Sequence, residues 1–446
     1  MEPVAASIAM LCVWMAVWWM TEAVPLELTA LLPMLVIPIT GLYTEDAMMK
    51  ACAPYAHESV YFFLGGFGLG LAIEKTELHR RGAMVLLRLA GSEAQVVIAA
   101  FMACTAMLSM WMNNTATTML MLPLATSVIA TKSDKRFATS LLIGVAYSAS
   151  IGGMCTLVGT APNIFFAGFL KDQGLQIGFL SWMAVALPIG MVLLVGAWFW
   201  MVKILWPVDG LKIEIPHEWL EAWNSQPGWT SHQRTVLIIF GAVASAWMLR
   251  DPLLWWSEGS QVHAWLLAIN DPWIAMCSMA LLLVFPIGNP VLGWSDVERI
   301  PWGVLLLFGG GMSLSKAISA SGLDLDIARS AAVFGSVPPW LMLALVVILV
   351  IVVSEMASNL ATATTMLPIL MSAAPSLGIE PLMLLSAAVL ASSCGFMMPV
   401  ATPPNTMVFA LKRFPVRDML LAGLGVNILS VLAIVAVVLW ILPWVR

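Results

Sequence analysis

Two short polar clusters hold the residues of this chain most suited to chemistry. The first contains Ser109, Asn113, Asn114 and Thr115 and runs on to Leu122-Pro123; the second, 245 positions later counting from Ser109 to Ser354, contains Ser354, Ser358, Asn359 and Leu360 and runs on to Leu367-Pro368. Each cluster interrupts a long apolar run, so each reads as a helix broken at depth. A helix that ends there offers free carbonyls, and one that begins there offers unpaired N–H groups with partial positive charge. Carbonyl, hydroxyl and carboxamide oxygens (Ser109, Asn114, Thr115, Ser354, Ser358, Asn359) suit a hard cation such as Na⁺, and helix N-termini suit an anion. A second pair of breaks, Val158-Gly159-Thr160-Ala161-Pro162-Asn163 and Val400-Ala401-Thr402-Pro403-Pro404-Asn405, recurs at an offset of 242 and adds further carbonyls and hydroxyls. A cation held by neutral oxygens would attract an anionic solute. The plainer alternative is hydrogen-bonding glue between helices, which explains one cluster more readily than two that each travel with a proline-asparagine break.

The residues missing from these runs narrow the chemistry. No charged residue lies between 94 and 130 or between 137 and 170, so a proton relay built on a buried carboxylate or histidine is not expected there. Glu355 is the one acid beside a tip; its plain reading is a polar residue facing a pocket or interface. The five histidines lie in polar loops and the six cysteines are scattered without a CxxC pair, which excludes the usual transition-metal spacings. A membrane enzyme would need a nucleophile, a metal or an acid/base pair at depth, and the buried segments supply none. Gly65-Gly66 and Gly309 to Gly311, again repeated, read as close helix packing.

The elements that position these clusters follow from composition. With 446 residues, 61% hydrophobic and 10% charged, and a mean hydropathy of +0.94, this is an all-α polytopic membrane protein. Its net charge of −5 is small and dispersed, and no basic run would hold nucleic acid. Apolar runs near 4–20 and 26–42 have the length of a crossing, and a third spans 59–75. The run 94–130 is too long for one crossing, is cut at Asn113-Asn114, and has basic residues on both flanks, which predicts a re-entrant helical hairpin. A crossing from about 137 is interrupted at 158–163, and another spans 179–204. The stretch 207–234 reads as a cytoplasmic linker with a short interfacial helix. The second half repeats the plan with runs at 235–249, 272–287 and 303–318, a second hairpin at 339–374, a broken run at 380–410, and a last run at 418–445. Five segments per half, with the hairpin counted as even, predict two inverted-topology repeats, each with a re-entrant hairpin and a broken transmembrane helix. Most of the Lys and Arg residues then fall on one side, which the positive-inside rule makes cytoplasmic. Two opposed broken hairpins build an occluded site rather than a through-pore, which disfavours a channel. The chain starts almost directly in an apolar run without a basic leader, so no cleavable signal is expected.

On these residues the chain resembles the divalent anion:Na⁺ symporter family, the dicarboxylate and citrate transporters. That family carries a Ser-Asn-Thr motif at each hairpin tip and Thr-Pro-Pro-Asn breaks in two following helices; the counterparts here are Asn113-Asn114-Thr115, Ser358-Asn359-Leu360, Thr160 to Asn163 and Thr402 to Asn405. The run PVATPPNTMVF is the most specific of them, and the likeness spans essentially the whole chain, including TEAVPLELTALLP near the start.

The resemblance implies an elevator-type homodimer in the cell inner (plasma) membrane, with a scaffold part (1–90 and 235–335) and a moving transport part (91–206 and 336–446). It implies Na⁺ as coupling ion, with one cation site at Ser109, Asn113, Asn114 and the backbone of Gly159, and another at Ser354, Ala357, Ser358, Asn359 and the backbone of Ala401. A small dicarboxylate anion would meet Asn114, Thr115, Ser358, Asn359 and Thr402. Na⁺-coupled uptake of a C4-dicarboxylate such as succinate, malate or fumarate is the expected activity; a citrate or sulfate substrate, or Na⁺-independent dicarboxylate exchange, are the alternatives. Three features depart from the pattern: Asn113 stands for the first serine, Leu360 for the second threonine, and the family's usual first helix has no counterpart.

Overall fold

The computed structural model describes residues 2–132, 134–214 and 228–444. The helices that frame the tips and breaks are α1 (Pro3–Thr21), α2 (Glu58–Lys75), α3 (Ala94–Ser109), α4 (Asn114–Thr131), α5 (Lys135–Met154), α6 (Ala161–Asp172), α7 (Phe179–Phe199), α8 (Ser231–Trp256), α9 (Asp271–Val284), α10 (Trp302–Ala320), α11 (Pro339–Met356), α12 (Asn359–Ala373), α13 (Pro381–Ser392), α14 (Pro403–Ala410) and α15 (Val416–Trp440). Among the described residues, eight helices are long and apolar enough to cross a membrane, or nine if the bent pair Gln261–Ala268 and α9 counts as one. The chain is therefore a multi-pass membrane protein.

Where the sequence predicts breaks, the chain breaks. α3 and α4 are 16 and 18 residues long, about 24 and 27 Å at 1.5 Å per residue, and are separate helices parted at residues 110–113. Their outer ends come to one face, because the segment 211–214 holds both. Ala94 N donates to Leu211 O and Ile213 N to Ser92 O, while Thr131 Oγ1 donates to Glu214 O. In the second half Gly335, before α11, lies against the Ser376 carbonyl beyond α12. The run 26–42 departs from expectation. It folds as Leu26–Ala30, Leu32–Val36 and the 3₁₀ turn Ile37–Ile39, since Pro33 and Pro38 each remove an N–H from any continuous helix; it is not a crossing helix. Of the stretch 207–234, where a linker with a short interfacial helix is expected, residues 215–227 lie outside the described residues.

Small residues set how closely the helices pack. Every residue of α5 from Phe137 to Met154 is buried, and its stripe Ser140, Gly144, Ser148 and Gly152 recurs every four positions. Such a stripe lets two backbones approach: Gly144 faces Met102, and Gly152 lies on Ala106 of α3. Gly65 of α2 is seated on α9, where an added Cβ would stand 2.6 Å from Ala275 Cβ and nearer still to the Ala275 carbonyl. Gly310 of α10 packs the same way on the Ala30 backbone. Because backbone cannot yield as a flexible side chain can, Gly65→Ala should cost about 1–3 kcal/mol, read as a lower melting temperature in detergent. Gly66→Ala, whose Cβ meets only the Val158 side chain, at 3.5 Å and beyond, should leave the melting temperature near wild type. Equal effects would remove the close-approach account.

Ion pairs collect at the two ends of α2. At one end Lys75 pairs with Asp296 at 2.6 Å and Glu74 with Arg299 at 3.0 Å. Burial pushes the Asp296 carboxyl up, but the Lys75 ammonium and the Gly293 amide more than offset this and hold it below the usual carboxylate range. At the other end Glu58 pairs with Lys171, while Asp172 meets His57 at 3.2 Å and Lys316 at 3.1 Å.

Candidate functional site

Tip 1 is built by the end of α3 and the start of α4. Asn113 caps α4, its Oδ1 accepting from Ala116 N at 2.7 Å, as expected of an N-cap residue. Ser109 Oγ donates to the Ala149 carbonyl of α5 at 2.6 Å and stands 2.8 Å from the Asn114 carboxamide. Tip 2 repeats this residue for residue. Ser358 caps α12 by accepting from Ala361 N at 3.2 Å; Ser354 Oγ donates to Ser392 O at 2.5 Å and stands 3.0 Å from the Asn359 carboxamide. Asn113 thus fills the capping role of the serine it replaces. Ser109 and Ser354 are fully buried, whereas Asn113, Asn114, Thr115, Ser358 and Asn359 are partly exposed. Leu360, where tip 1 has Thr115, is buried at 6% exposure.

The breaks after α5 and α13 are matched as closely. Asn163 Nδ2 donates to the carbonyls of Met154 and Thr156 at 3.0 and 2.7 Å, with Gly153 O at 3.4 Å. Asn405 Nδ2 donates to Gly395 O and Met398 O at 3.1 and 3.0 Å. Gly153 and Gly395, Thr156 and Met398, and Asn163 and Asn405 are all related by the offset of 242. From the first turn of the second half-helix, Asn163 holds carbonyls at the end of α5 and just beyond it, and Asn405 holds carbonyls of the break that follows α13. Thr402 also caps α14, accepting from Asn405 N at 3.3 Å; Thr160 makes no such bond.

Break and tip meet where small residues allow it. An added Cβ on Gly159 would lie 2.5 Å from Gly153 O and 2.8 Å from Ser109 O, and one on Gly153 would lie 3.0 Å from Asn114 Cγ. Ser109, Asn114, Gly153 and Gly159 are therefore one cluster. In the second half Gly395 lies against Ala401 Cβ and the Ser354 carbonyl, and Ala357, Ala401 and Thr402 are all buried. The halves interlock, since α6 packs on α12 and α14 packs on α4. Tyr147 of α5 ties them further, its hydroxyl lying 2.6 Å from Phe396 O and 3.1 Å from Met419 O.

Several oxygens in this region are buried without a hydrogen-bond partner, and four of them form two pairs at the repeat offsets: Thr117 and Thr362 Oγ1, and Asn163 and Asn405 Oδ1. Buried polar atoms are almost always paired with protein, water or an ion. Neutral hydroxyl, carboxamide and carbonyl oxygens gathered at a helix break are the donor set of a hard cation, so the residues present fit Na⁺.

Glu355 is buried at 6% exposure and faces the second break. Its Oε1 accepts from Phe396 N and Met397 N, both at 2.8 Å, and from Asn427 Nδ2 at 2.7 Å; its Oε2 accepts from Met398 N at 2.9 Å. The carboxylate thus pins tip 2 to the second break. The first half does this differently: position 110 is Met, and Thr156 Oγ1 donates to the Met110 carbonyl. The offset of 242 marks Asn163 and Asn405 in the sequence. Tyr147, Asn427 and the partners of Glu355 carry no such mark.

Beside tip 1 lies a small open-mouthed cavity of about 90 Å³, walled by Trp111, Met112 and Asn113 of the tip, by α2 from Gly66 to Glu74, and by Arg299 to Pro301. Trp111 closes one edge, stacked on Phe179 and edge-on to Phe240.

A family model described as "Citrate transporter" matches residues 16–389. The sodium-dependent dicarboxylate transporter SdcS of Staphylococcus saprophyticus subsp. saprophyticus is 32% identical over 96% of this chain and 85% of its own length. That of Staphylococcus aureus is 32% identical over 96% of this chain and 84% of its length. Among solved structures, the YdaH transporter of Alcanivorax borkumensis superposes with a TM-score of 0.62 at 16% identity, covering 99% of this chain and 98% of that one, a likeness of fold.

Proposed function

The chain belongs to the divalent anion:Na⁺ symporter family of dicarboxylate and citrate transporters, and from that premise we propose that it couples Na⁺ to the uptake of a C4-dicarboxylate such as succinate, malate or fumarate. The observation that carries this reading is the duplicated cage: two tips that share a serine–asparagine bond, two breaks that share an asparagine–carbonyl bond, and two pairs of unpartnered oxygens. One Na⁺ would sit by Ser109, Asn113, Asn114 and the Gly159 backbone, the other by Ser354, Ala357, Ser358, Asn359 and the Ala401 backbone. Each cation draws a carboxylate towards the N–H ends of α4, α12 and α14, where Asn114, Thr115, Ser358, Asn359 and Thr402 donate to it. Na⁺ supplies the positive charge that these neutral residues lack.

Movement in this proposal is that of an elevator in an inner-membrane homodimer. The part formed by 91–206 and 336–446 travels against the scaffold of 1–90 and 235–335, and the two repeats enter the membrane from opposite faces. The pairs of Lys171 and Asp172 with Glu58, His57 and Lys316 cross that boundary at one end of α2, while the cavity opens at the other. Such an arrangement is expected of a carrier closed to one face and open to the other.

Flux into proteoliposomes tests the reading. Succinate uptake should accelerate at least about tenfold with an inward Na⁺ gradient, and replacing Na⁺ with choline should abolish it, since a co-bound ion adds its binding free energy to the substrate's. Uptake that ignores Na⁺ and requires dicarboxylate inside would make the protein an exchanger; flux of citrate or sulfate with none of succinate would change the substrate.

A further inference from the structure

Arg299 and tip 1 share the walls of one cavity although 186 positions separate Asn113 from Arg299. Arg299 Nη2 donates to Glu74 Oε1 at 3.0 Å, with side chains 57% and 30% exposed, so this pair stands at the wet mouth. The neighbouring Lys75–Asp296 pair is shorter, at 2.6 Å, and its acid is only 12% exposed; it already staples the end of α2 to the segment before α10. A second, wetter pair adds little to that staple. Its position suggests another use, because a charge at the mouth of a low-dielectric cavity acts on any ion that enters.

We propose that Arg299 is a substrate-positioning residue at this entrance, exchanging the Glu74 carboxylate for a carboxylate of the dicarboxylate as it passes to or from tip 1. The guanidinium presents paired N–H donors to either carboxylate, so the exchange conserves hydrogen bonding. Glu74 keeps the mouth neutral between passages and prevents the anion from being trapped there. The inference rests on the carrier reading and adds to it a side chain from outside both hairpins and both breaks.

Uptake of succinate into proteoliposomes at fixed Na⁺, with ionic strength varied by choline chloride, tests it. Arg299→Gln leaves Glu74 unpaired and facing a dianion, so KM should rise about tenfold at low ionic strength with the maximal rate within about twofold. Glu74→Gln leaves Arg299 unpaired and should lower KM about threefold. Both shifts should shrink as salt rises and the screening length falls to about 3 Å at 1 M. A purely structural pair predicts the opposite pattern, since either substitution breaks the same bond: KM shifts of the same sign, or no shift with equal losses of melting temperature, would overturn the proposal. Should Arg299→Gln not fold, Glu74→Gln decides alone, a lowered KM supporting the proposal and an unchanged or raised KM overturning it. A wild type that moves no dicarboxylate removes the carrier reading and this inference with it; wild-type flux with same-sign shifts overturns only the inference.

Discussion

Glu355→Ala should cost more stability than any other single substitution near the tips, and transport should be lost with it. The change leaves the backbone N–H groups of Phe396, Met397 and Met398 and the Asn427 amide without their acceptor. An orphaned buried donor costs about 1–3 kcal/mol, so four of them reach a size comparable with a protein's whole net stability of about 5–15 kcal/mol. Glu355→Gln should fall between. One carboxamide oxygen can still accept from Phe396, Met397 and Asn427, but its NH₂ meets the Met398 N–H donor to donor. Asn427→Ala removes one bond and should cost least. The order Ala, Gln, Asn427→Ala in melting temperature is the expected result, with Na⁺-dependent protection weakened in the same order because Ala401 and Thr402 lie just beyond the anchored segment. A Glu355→Ala protein that melts with the wild type would show that the carboxylate does not hold the break.

Asn114→Ala and Asn359→Ala should each weaken Na⁺ and dicarboxylate binding together, by about tenfold or more for each ligand. Each carboxamide stands within 3.0 Å of the tip serine on its cation side and at the first turn of the half-helix whose N–H groups would face the anion. A residue that touches both ligands must change both affinities, and the coupling between them is reciprocal, typically 1–3 kcal/mol. Removal of Na⁺ is the larger form of the same test. With no Lys or Arg in either hairpin or break, a dianion is left with helix ends worth about half a charge each, and succinate affinity should collapse in choline. Calorimetry with succinate titrated at several Na⁺ concentrations, and Na⁺ at several succinate concentrations, measures both. Tight succinate binding without Na⁺, or an Asn114→Ala variant with lower stability but unchanged Na⁺ dependence, would make these asparagines helix glue.

Much of this molecule is set by its sequence alone, and the reason is local. Composition decides the membrane solvent, because a chain with 10% charged residues cannot cover its surface for water. Asn113, Ser358 and Thr402 each stand one residue before a helix and each caps it, a preference written within four residues. The repeat is legible for the same reason: Asn163 and Asn405 hold carbonyls within ten positions of themselves, so equal spacing produces equal bonds. Local reasoning fails at 26–42, where apolar length suggests a crossing and Pro33 and Pro38 divide it.

Tertiary structure alone decided the rest, because it concerns groups that meet only after long loops close. Glu355 finds its four donors 41 to 72 residues away; its sequence neighbourhood shows only an acid beside a tip, and nothing local distinguishes an anchored carboxylate from a titrating one. Tyr147 reaches Phe396 and Met419 across the two halves. Whether Gly65 marks a ligand loop or a helix contact depends on Ala275 lying against it. Arg299, one basic residue among the 20 Lys and Arg, acquires a place beside Asn113 only because α2 and the segment before α10 fold around the same cavity. Backbone preference acts over a few residues, whereas packing and charge act over a few ångströms, and only the folded chain brings the two together.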